Sequence, residues 1–104
     1  MAGNSSRIKG YGGEKEVERK LKEAGLEAKR VPLSGAVEGF WGDVVFNVDG
    51  REMTGEVKRR KAGFSKLYQW LARKDILFLR EDREDWLVVL RMEDWLELVK
   101  KEKP

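Results

Sequence analysis

A chain of 104 residues is long enough to bury one core and too short for two, so we expect a single domain over residues 1–104. It contains no His and no Cys, which excludes His-based acid–base catalysis, Cys nucleophiles, disulfides and the usual zinc ligand sets, and leaves oxygen atoms to bind any catalytic metal. With no apolar N-terminal run and no apolar stretch of about eighteen residues, we expect neither a signal peptide nor a membrane span, and a cytoplasmic location.

The first half of the chain is predicted to contain one helix and three strands. Residues 14–24 are rich in helix formers and are followed by Gly25, which predicts the first helix. Asp49 and Gly50 form a strong hairpin turn signal between two strands that should pair antiparallel. The predicted strands cover residues 26–33, 43–48 and 52–58. A glycine-rich loop at residues 34–42 separates the first two.

The second half is predicted to add a helix, two strands and a closing helix. Apolar runs at residues 76–79 and 86–90 are short and nearly continuous, which predicts two buried strands. Apolar residues at helical spacing predict the two helices, with stripes at Phe64, Leu67, Tyr68 and Leu71, and at Met92, Trp95, Leu96 and Val99. The order αβββαββα predicts an α/β fold in which helices flank one central five-stranded sheet. We expect a flexible basic arm at residues 1–10 and a tail at residues 100–104.

Two carboxylates and a lysine are predicted to meet at the start of the hairpin. If the turn has two residues, Val48 lies opposite Arg51 and Asp43 lies opposite Glu56. Side chains alternate along a strand, so Glu56 and Lys58 share one side. Facing acids repel unless a cation lies between them, which favours a Mg²⁺ site. The alternative is a turn acid at 43 and an exposed ion pair between 56 and 58, worth about 0–1 kcal/mol.

Glu14 begins the first helix, close to the direction of Leu21 and within one turn of Val17, the two residues that should face the sheet. Its carboxylate therefore points inward or to the helix rim, within reach of a site on the sheet. The alternative is an acid that complements the helix dipole, worth about 0.3–1 kcal/mol.

Positive charge is concentrated from the end of the Glu56-Val57-Lys58 triplet (E-x-K) onward. The segment 57–74 contains seven bases and no acid, which favours an anionic polymer such as nucleic acid, although a solvated Lys/Arg face is the alternative. Lys15 and Arg30 are candidates for phosphate contacts or ordinary surface cations. Ser34 would donate to a phosphate oxygen or support a turn.

The ordered motifs along residues 7–61 resemble the PD-(D/E)XK nucleases, and among them the archaeal-type Holliday junction resolvases with their phage and bacterial relatives. The resemblance rests on Lys9-Gly10, Glu14 at a helix start, Arg30, Ser34-Gly35, Gly42-Asp43 and Glu56-Val57-Lys58. Two features differ from the family pattern. Gly42 replaces the proline of the motif, and the loop after Ser34 is longer than in typical members.

The resemblance implies a restriction-endonuclease-like fold with a mixed central sheet and a Mg²⁺-dependent site at which Mn²⁺ substitutes. By analogy, Asp43, Glu56, the Val57 carbonyl and Glu14 bind the metal. Lys58 positions or activates the attacking water, and Ser34 assists cleavage. The implied partner is branched double-stranded DNA, with no small-molecule cofactor and no membrane. A homodimer would resolve four-way junctions by paired nicks, in the host cytoplasm if the chain is phage-encoded.

We expect eight basic residues to contact DNA phosphates: Arg7, Lys9, Lys15, Arg30, Arg59, Arg60, Lys61 and Lys66. Two alternatives stay open. One is a nicking, flap or repair nuclease of the same superfamily without junction preference. The other is a non-catalytic DNA-binding module whose acids serve packing and charge balance.

Overall fold

The computed structural model describes residues 2–31 and 42–101, and for residues 2–11 it describes the backbone alone. Within these ranges the chain is mixed α/β, and its elements follow the predicted order αβββαββα. None of the described helices is both long and apolar enough to cross a membrane. The residues group into two compact units, Met1–Arg60 with Val99–Pro104, and Lys61–Leu98.

The first unit contains a long helix and a three-stranded antiparallel sheet in the order β1-β2-β3. Its elements are α1 (Ala2–Glu23), β1 (Ala28–Arg30), β2 (Val44–Val48) and β3 (Arg51–Gly55). Helix α1 packs against β1 and β2, and apolar side chains buried in this unit include Leu21, Leu26, Val31, Val44 and Val45. The prediction that a helix starts at residue 14 was wrong, because α1 begins at Ala2 and includes residues 2–10, where we expected an arm.

Helix α1 ends where the sequence predicted, at a left-handed glycine. Gly25 has φ +86°, its N–H donates to the Lys22 carbonyl, and the Leu26 N–H donates to the Leu21 carbonyl. This pair of bonds is a Schellman motif, which satisfies carbonyl groups that the last helical turn leaves open.

The hairpin turn also forms as predicted. Asp49 and Gly50 have φ +50° and +84°, as a two-residue type I′ turn requires, and Val48 pairs with Arg51. Pairing runs back to Val44 and Gly55, one pair short of residues 43 and 56. The third predicted strand was too long, since β3 ends at Gly55 and the E-x-K triplet follows it.

The second unit contains α2 (Ser65–Leu71), β4 (Ile76–Leu79), β5 (Leu87–Leu90) and most of α3 (Met92–Val99). The two strands pair antiparallel as a separate two-stranded sheet. Arg91, which follows β5, connects it to the end of α2 and the loop after it. Its guanidinium donates to the carbonyls of Leu71 at 3.3 Å and Lys74 at 2.9 Å.

The prediction of one central five-stranded sheet was wrong for the described strands, which form a three-stranded and a two-stranded antiparallel sheet. The physical reason is that apolar runs identify strands but not their partners. Each described pairing joins strands that are neighbours in the sequence, as antiparallel pairs commonly are. The two predicted buried strands were also wrong in burial, since Phe78 and Val88 are exposed.

Candidate active site

Asp43 is fixed by hydrogen bonds on both its backbone and its side chain. Its N–H donates to the Gly55 carbonyl at 2.8 Å, and its carbonyl accepts from the Val31 N–H at 2.9 Å. Its carboxylate Oδ2 accepts from the Val57 N–H at 2.7 Å. Because the Val57 N–H donates to this carboxylate, it does not donate to a backbone carbonyl of β2. The backbone pairing of β3 accordingly ends at Gly55, before the E-x-K triplet.

The glycine before Asp43 has a steric role. A Cβ atom at Gly42 would lie 2.8 Å from the Gly55 carbonyl oxygen, closer than real contacts allow. Proline also carries a Cβ, so this backbone geometry favours glycine where the resembled motif has proline. Gly42 thereby allows β2 and β3 to approach closely beside the Asp43 carboxylate.

Glu14 and Asp43 are in side-chain hydrogen-bond contact. Burial raises the pKa of Glu14 above its ordinary value of 4.5, and the Asp43 charge and hydrogen bond raise this pKa further, while the Arg30 charge lowers it. The nearby negative charge of Asp43 therefore disfavours the ionised form of Glu14. The inward or rim position expected for Glu14 agrees with its half-buried environment.

Two residues that the sequence reasoning missed help to position this pair. A Cβ at Gly13 would lie 3.3 Å from Val57 Cγ1 and 3.4 Å from Arg59 Cβ, so this glycine lets α1 come close to the segment after β3. The signal was a glycine inside a helix, which costs about 1 kcal/mol relative to alanine and calls for a packing reason. The other missed residue is Glu18.

Glu18 orients Arg30. Glu18 Oε2 accepts from the Arg30 backbone N–H at 3.0 Å, and its Oε1 lies 3.8 Å from Arg30 Nε. Glu14 and Glu18 are four residues apart and therefore share a helix face, a spacing that the sequence already contained. Arg30, predicted to meet DNA, is thus a half-buried cation whose charge acts on Glu14.

Glu56 and Lys58 project to solvent together. Their side chains are 65% and 56% exposed, with Lys58 Nζ 3.7 Å from Glu56 Oε1, while Val57 between them is half-buried. Glu56 and Lys58 thus lie on the same side of the chain, as predicted. Their ion pair is also what the alternative interpretation of Glu56 predicted.

The structure brings together two of the three predicted carboxylates. Among residues 2–31 and 42–101, no group of three or more Asp, Glu, His or Cys side chains is positioned to hold a metal. Glu14 and Asp43 are in contact, and Asp43 binds the Val57 amide. The predicted metal-binding group of the Val57 carbonyl with three acids stays a prediction.

The predicted DNA-contacting bases are mostly on the surface. The exposed ones are Lys15, Arg59, Arg60, Lys61 and Lys66. Arg7 and Lys9 lie in α1, where the side chains are outside the described residues, and Ser34 lies in the undescribed segment 32–41. Arg59 adjoins Gly13, so one base of the predicted DNA surface lies beside α1 and the Glu14 site.

In comparisons with protein families, curated proteins and solved structures, this chain has no match.

Proposed function

We propose that this protein is a Mg²⁺-dependent endodeoxyribonuclease with a restriction-endonuclease-like fold. The observation that carries the proposal is the contact between the Glu14 and Asp43 carboxyls, tied through the Val57 amide to the segment that presents Glu56 and Lys58. The observed element order αβββαββα is the predicted one, while the described strands form two sheets rather than the single central sheet predicted for that fold. Branched DNA is the substrate that the resemblance indicates, with a homodimer cutting four-way junctions by paired nicks.

The donor set suits a hard divalent cation. Glu14 and Asp43 offer carboxylate oxygens in contact, a placement that costs stability unless a proton or a cation neutralises it. Glu56 is exposed and its side chain can rotate, so it is the acid that would join them. With the Val57 carbonyl, these groups would hold Mg²⁺ or Mn²⁺. When bound, the cation would lower the pKa of a water and stabilise charge on the phosphate.

The remaining chemistry belongs to side chains of this protein. The Asp43 carboxylate is held in place by the Val57 N–H, so it needs little reorganisation during the reaction. The Lys58 ammonium would orient the attacking water and donate to a phosphate oxygen. Arg59 and Arg60 are exposed beside it and would hold neighbouring phosphates, so DNA shape rather than base sequence would set selectivity.

The test compares three single variants on a labelled four-way junction. Asp43→Asn and Glu56→Gln each remove one carboxylate charge, and we expect both to bind the junction and to lose Mg²⁺-dependent nicking. Glu52→Gln is the matched control, an exposed acid within β3 itself, and should cleave like the wild type. Cleavage retained by Asp43→Asn or Glu56→Gln rejects the assignment. Equal cleavage of duplex, flap and junction DNA would favour the nuclease without junction preference.

A non-catalytic DNA-binding module is the second candidate. It is favoured by the lack of a three-acid group among the described residues and by the ion pair that occupies Glu56. Calorimetric titration with Mg²⁺ and Mn²⁺ separates the two. A flat titration together with DNA binding that EDTA leaves unchanged would support the module.

A further inference from the structure

Helix α2 directs a tryptophan away from the interior of the second unit. One side of this helix lines a cavity together with Val89 and Leu90 of β5. The lining side chains on that side are Phe64, Leu67, Tyr68 and Leu71. At about 100° per residue, Lys66, Gln69 and Trp70 lie on the opposite side. We call Lys66, Gln69 and Trp70 the outer face of α2.

The ring of Trp70 is open to solvent on this outer face. Trp70 is 55% exposed, which leaves on the order of 100 Å² of its surface in water. Within the described residues its ring contacts no cation, and the described cation–π contact joins Arg80 to Trp86 instead. A single exposed aromatic does not by itself indicate a partner. The charges around Trp70 therefore decide whether it has one.

The chain around the outer face is positively charged. Residues 61–75 contain four bases and one acid, a net charge of +3. The bases are Lys61, Lys66, Arg73 and Lys74. All four are exposed, and none of them has an ion pair within the part of the chain that the structure describes. The strands β4 and β5, which contact α2, contain no charged residue.

Acids near the C-terminal end of α2 reduce this charge without cancelling it. Glu93 and Asp94 begin α3, and Asp94 lies 4.0 Å from Arg91, whose guanidinium donates to the Leu71 carbonyl. Counting these three residues with the segment 61–75 gives five bases and three acids, a net charge of +2. Lys66 precedes Trp70 by four residues, about one helical turn, so a cation accompanies the ring on the outer face itself.

Unpaired bases of DNA are the partner that fits a ring accompanied by cations. An aromatic ring stacks on any base, and lysines beside it bind the phosphates of the same strand. Bases inside a duplex are already stacked on one another, so the ring reaches only bases in single strands, at strand ends and at branch points. A protein partner fits less well, because about 100 Å² of apolar surface is below the few hundred Å² that mark protein interaction sites.

We propose that Trp70 stacks on an unpaired base of DNA while Lys66 binds a phosphate of the same strand. The proposal rests on the proposed function in taking DNA as the polymer, and it extends that function by making unpaired bases part of the substrate. Trp70 and Lys66 belong to the second unit, and neither is among the acids and the lysine of the candidate active site.

The first experiment measures binding of a fluorescein-labelled oligothymidylate of about twenty nucleotides, in EDTA so that no cleavage occurs. The wild type should bind, and Trp70→Ala should raise Kd about 10- to 100-fold, as the loss of one stacked base does. Trp86→Ala is the matched control. Trp86 is 64% exposed but adjoins residues 81–85, which contain four acids and one arginine, so this variant should bind like the wild type. A wild type that does not bind, or equal Kd values for Trp70→Ala and Trp86→Ala, overturns the proposal.

Duplex DNA and Trp70→Phe separate stacking from a structural role of the tryptophan. Trp70→Ala should change Kd for a duplex of the same length by less than about threefold, since phosphate contacts dominate there. Phenylalanine also stacks, so Trp70→Phe should keep Kd for oligothymidylate within about fivefold of the wild type. The quenching of tryptophan fluorescence by oligothymidylate should nevertheless fall in Trp70→Phe. Quenching that is unchanged in this variant contradicts the proposal.

The phosphate contact is tested through the salt dependence of binding. Lys66→Gln should lower the slope of log Kd against log salt concentration by about 0.7, the value for one phosphate contact on a single strand. Lys29→Gln is the matched control, because Lys29 is an exposed lysine of β1 in the first unit, and it should keep the wild-type slope. A wild-type slope in Lys66→Gln contradicts the assigned contact.

Cleavage of a labelled four-way junction in Mg²⁺ is scored separately. A wild type that binds oligothymidylate through Trp70 and cleaves no DNA would reject the proposed nuclease and leave this inference intact. A wild type that cleaves the junction, with Trp70→Ala binding oligothymidylate unchanged, would do the reverse. A wild type that binds no DNA but loses self-association in Trp70→Ala would replace DNA with a second copy of the chain and overturn the proposal.

Discussion

Replacing Gly42 with alanine should displace Asp43 and destabilise the first unit. The new Cβ would lie 2.8 Å from the Gly55 carbonyl oxygen, whereas ordinary contact begins at 3.4 Å, so two backbone segments must separate by several tenths of an ångström. Overpacking of this kind costs about 1–3 kcal/mol. At about 4–8 °C per kcal/mol for a chain of this size, the loss is readily measured as a lower Tm.

The same variant should weaken the hydrogen bond from the Val57 N–H to Asp43 Oδ2, because Asp43 is the next residue. Hydrogen exchange of the Val57 amide, followed by NMR, should therefore accelerate. Gly12→Ala is the matched control. Its Cβ would meet only Arg59 Nη1 at 3.9 Å, and alanine in a helix gains up to about 1 kcal/mol over glycine. A Gly42→Ala protein with wild-type stability and an unchanged Val57 amide would refute the steric role of Gly42.

Three further predictions concern Glu14 and Gly25. The pKa of Glu14 in the folded protein is raised above 4.5, so the stability that its bound proton contributes is present below pH 4.5 and is lost as the pH rises through the folded pKa. Glu14→Gln should therefore reduce the pH dependence of the free energy of unfolding over this window, as urea titrations at a series of pH values would measure. Arg30→Gln should raise the pKa of Glu14 further, as a carboxyl ¹³C titration would detect; a lower pKa contradicts the charge assignment. Gly25→Ala should lower the Tm more than Gly63→Ala does. Both glycines have positive φ, but only a Cβ at Gly25 would contact backbone, at 3.0 Å from the Lys101 carbonyl oxygen. Equal losses of Tm would show that this contact does not contribute.

Local signals in the sequence predicted most of the element order. Asp49-Gly50 fixed a two-residue turn, and the turn fixed the register of β2 against β3, because each pairing follows from the one before it. Gly25 similarly marked the end of α1. These features depend on residues a few positions apart, so no knowledge of the distant chain was needed.

Features that depend on distant contacts were predicted less well. The end of β3 depends on Asp43, whose carboxylate takes the Val57 amide from fourteen positions away. The pairing of Glu14 with Asp43 required α1 to approach through Gly13, and only the inward or rim direction of Glu14 was visible in the periodicity. The metal-binding role of these acids stays a prediction, since it depends on a cation that periodicity cannot report.

Two departures from ordinary folding rules stand out among the described residues of this chain, one in each unit. The contact of Glu14 with Asp43 sets one carboxyl against another, a repulsion that a bound proton relieves at low pH and a divalent cation would relieve at neutral pH. The apolar runs of β4 and β5 have the continuous pattern of strands covered on both faces, yet Phe78 and Val88 are open to solvent. Because the acid pair lies in the first unit and these exposed apolar side chains lie in the second, variants that test one departure leave the residues of the other unchanged.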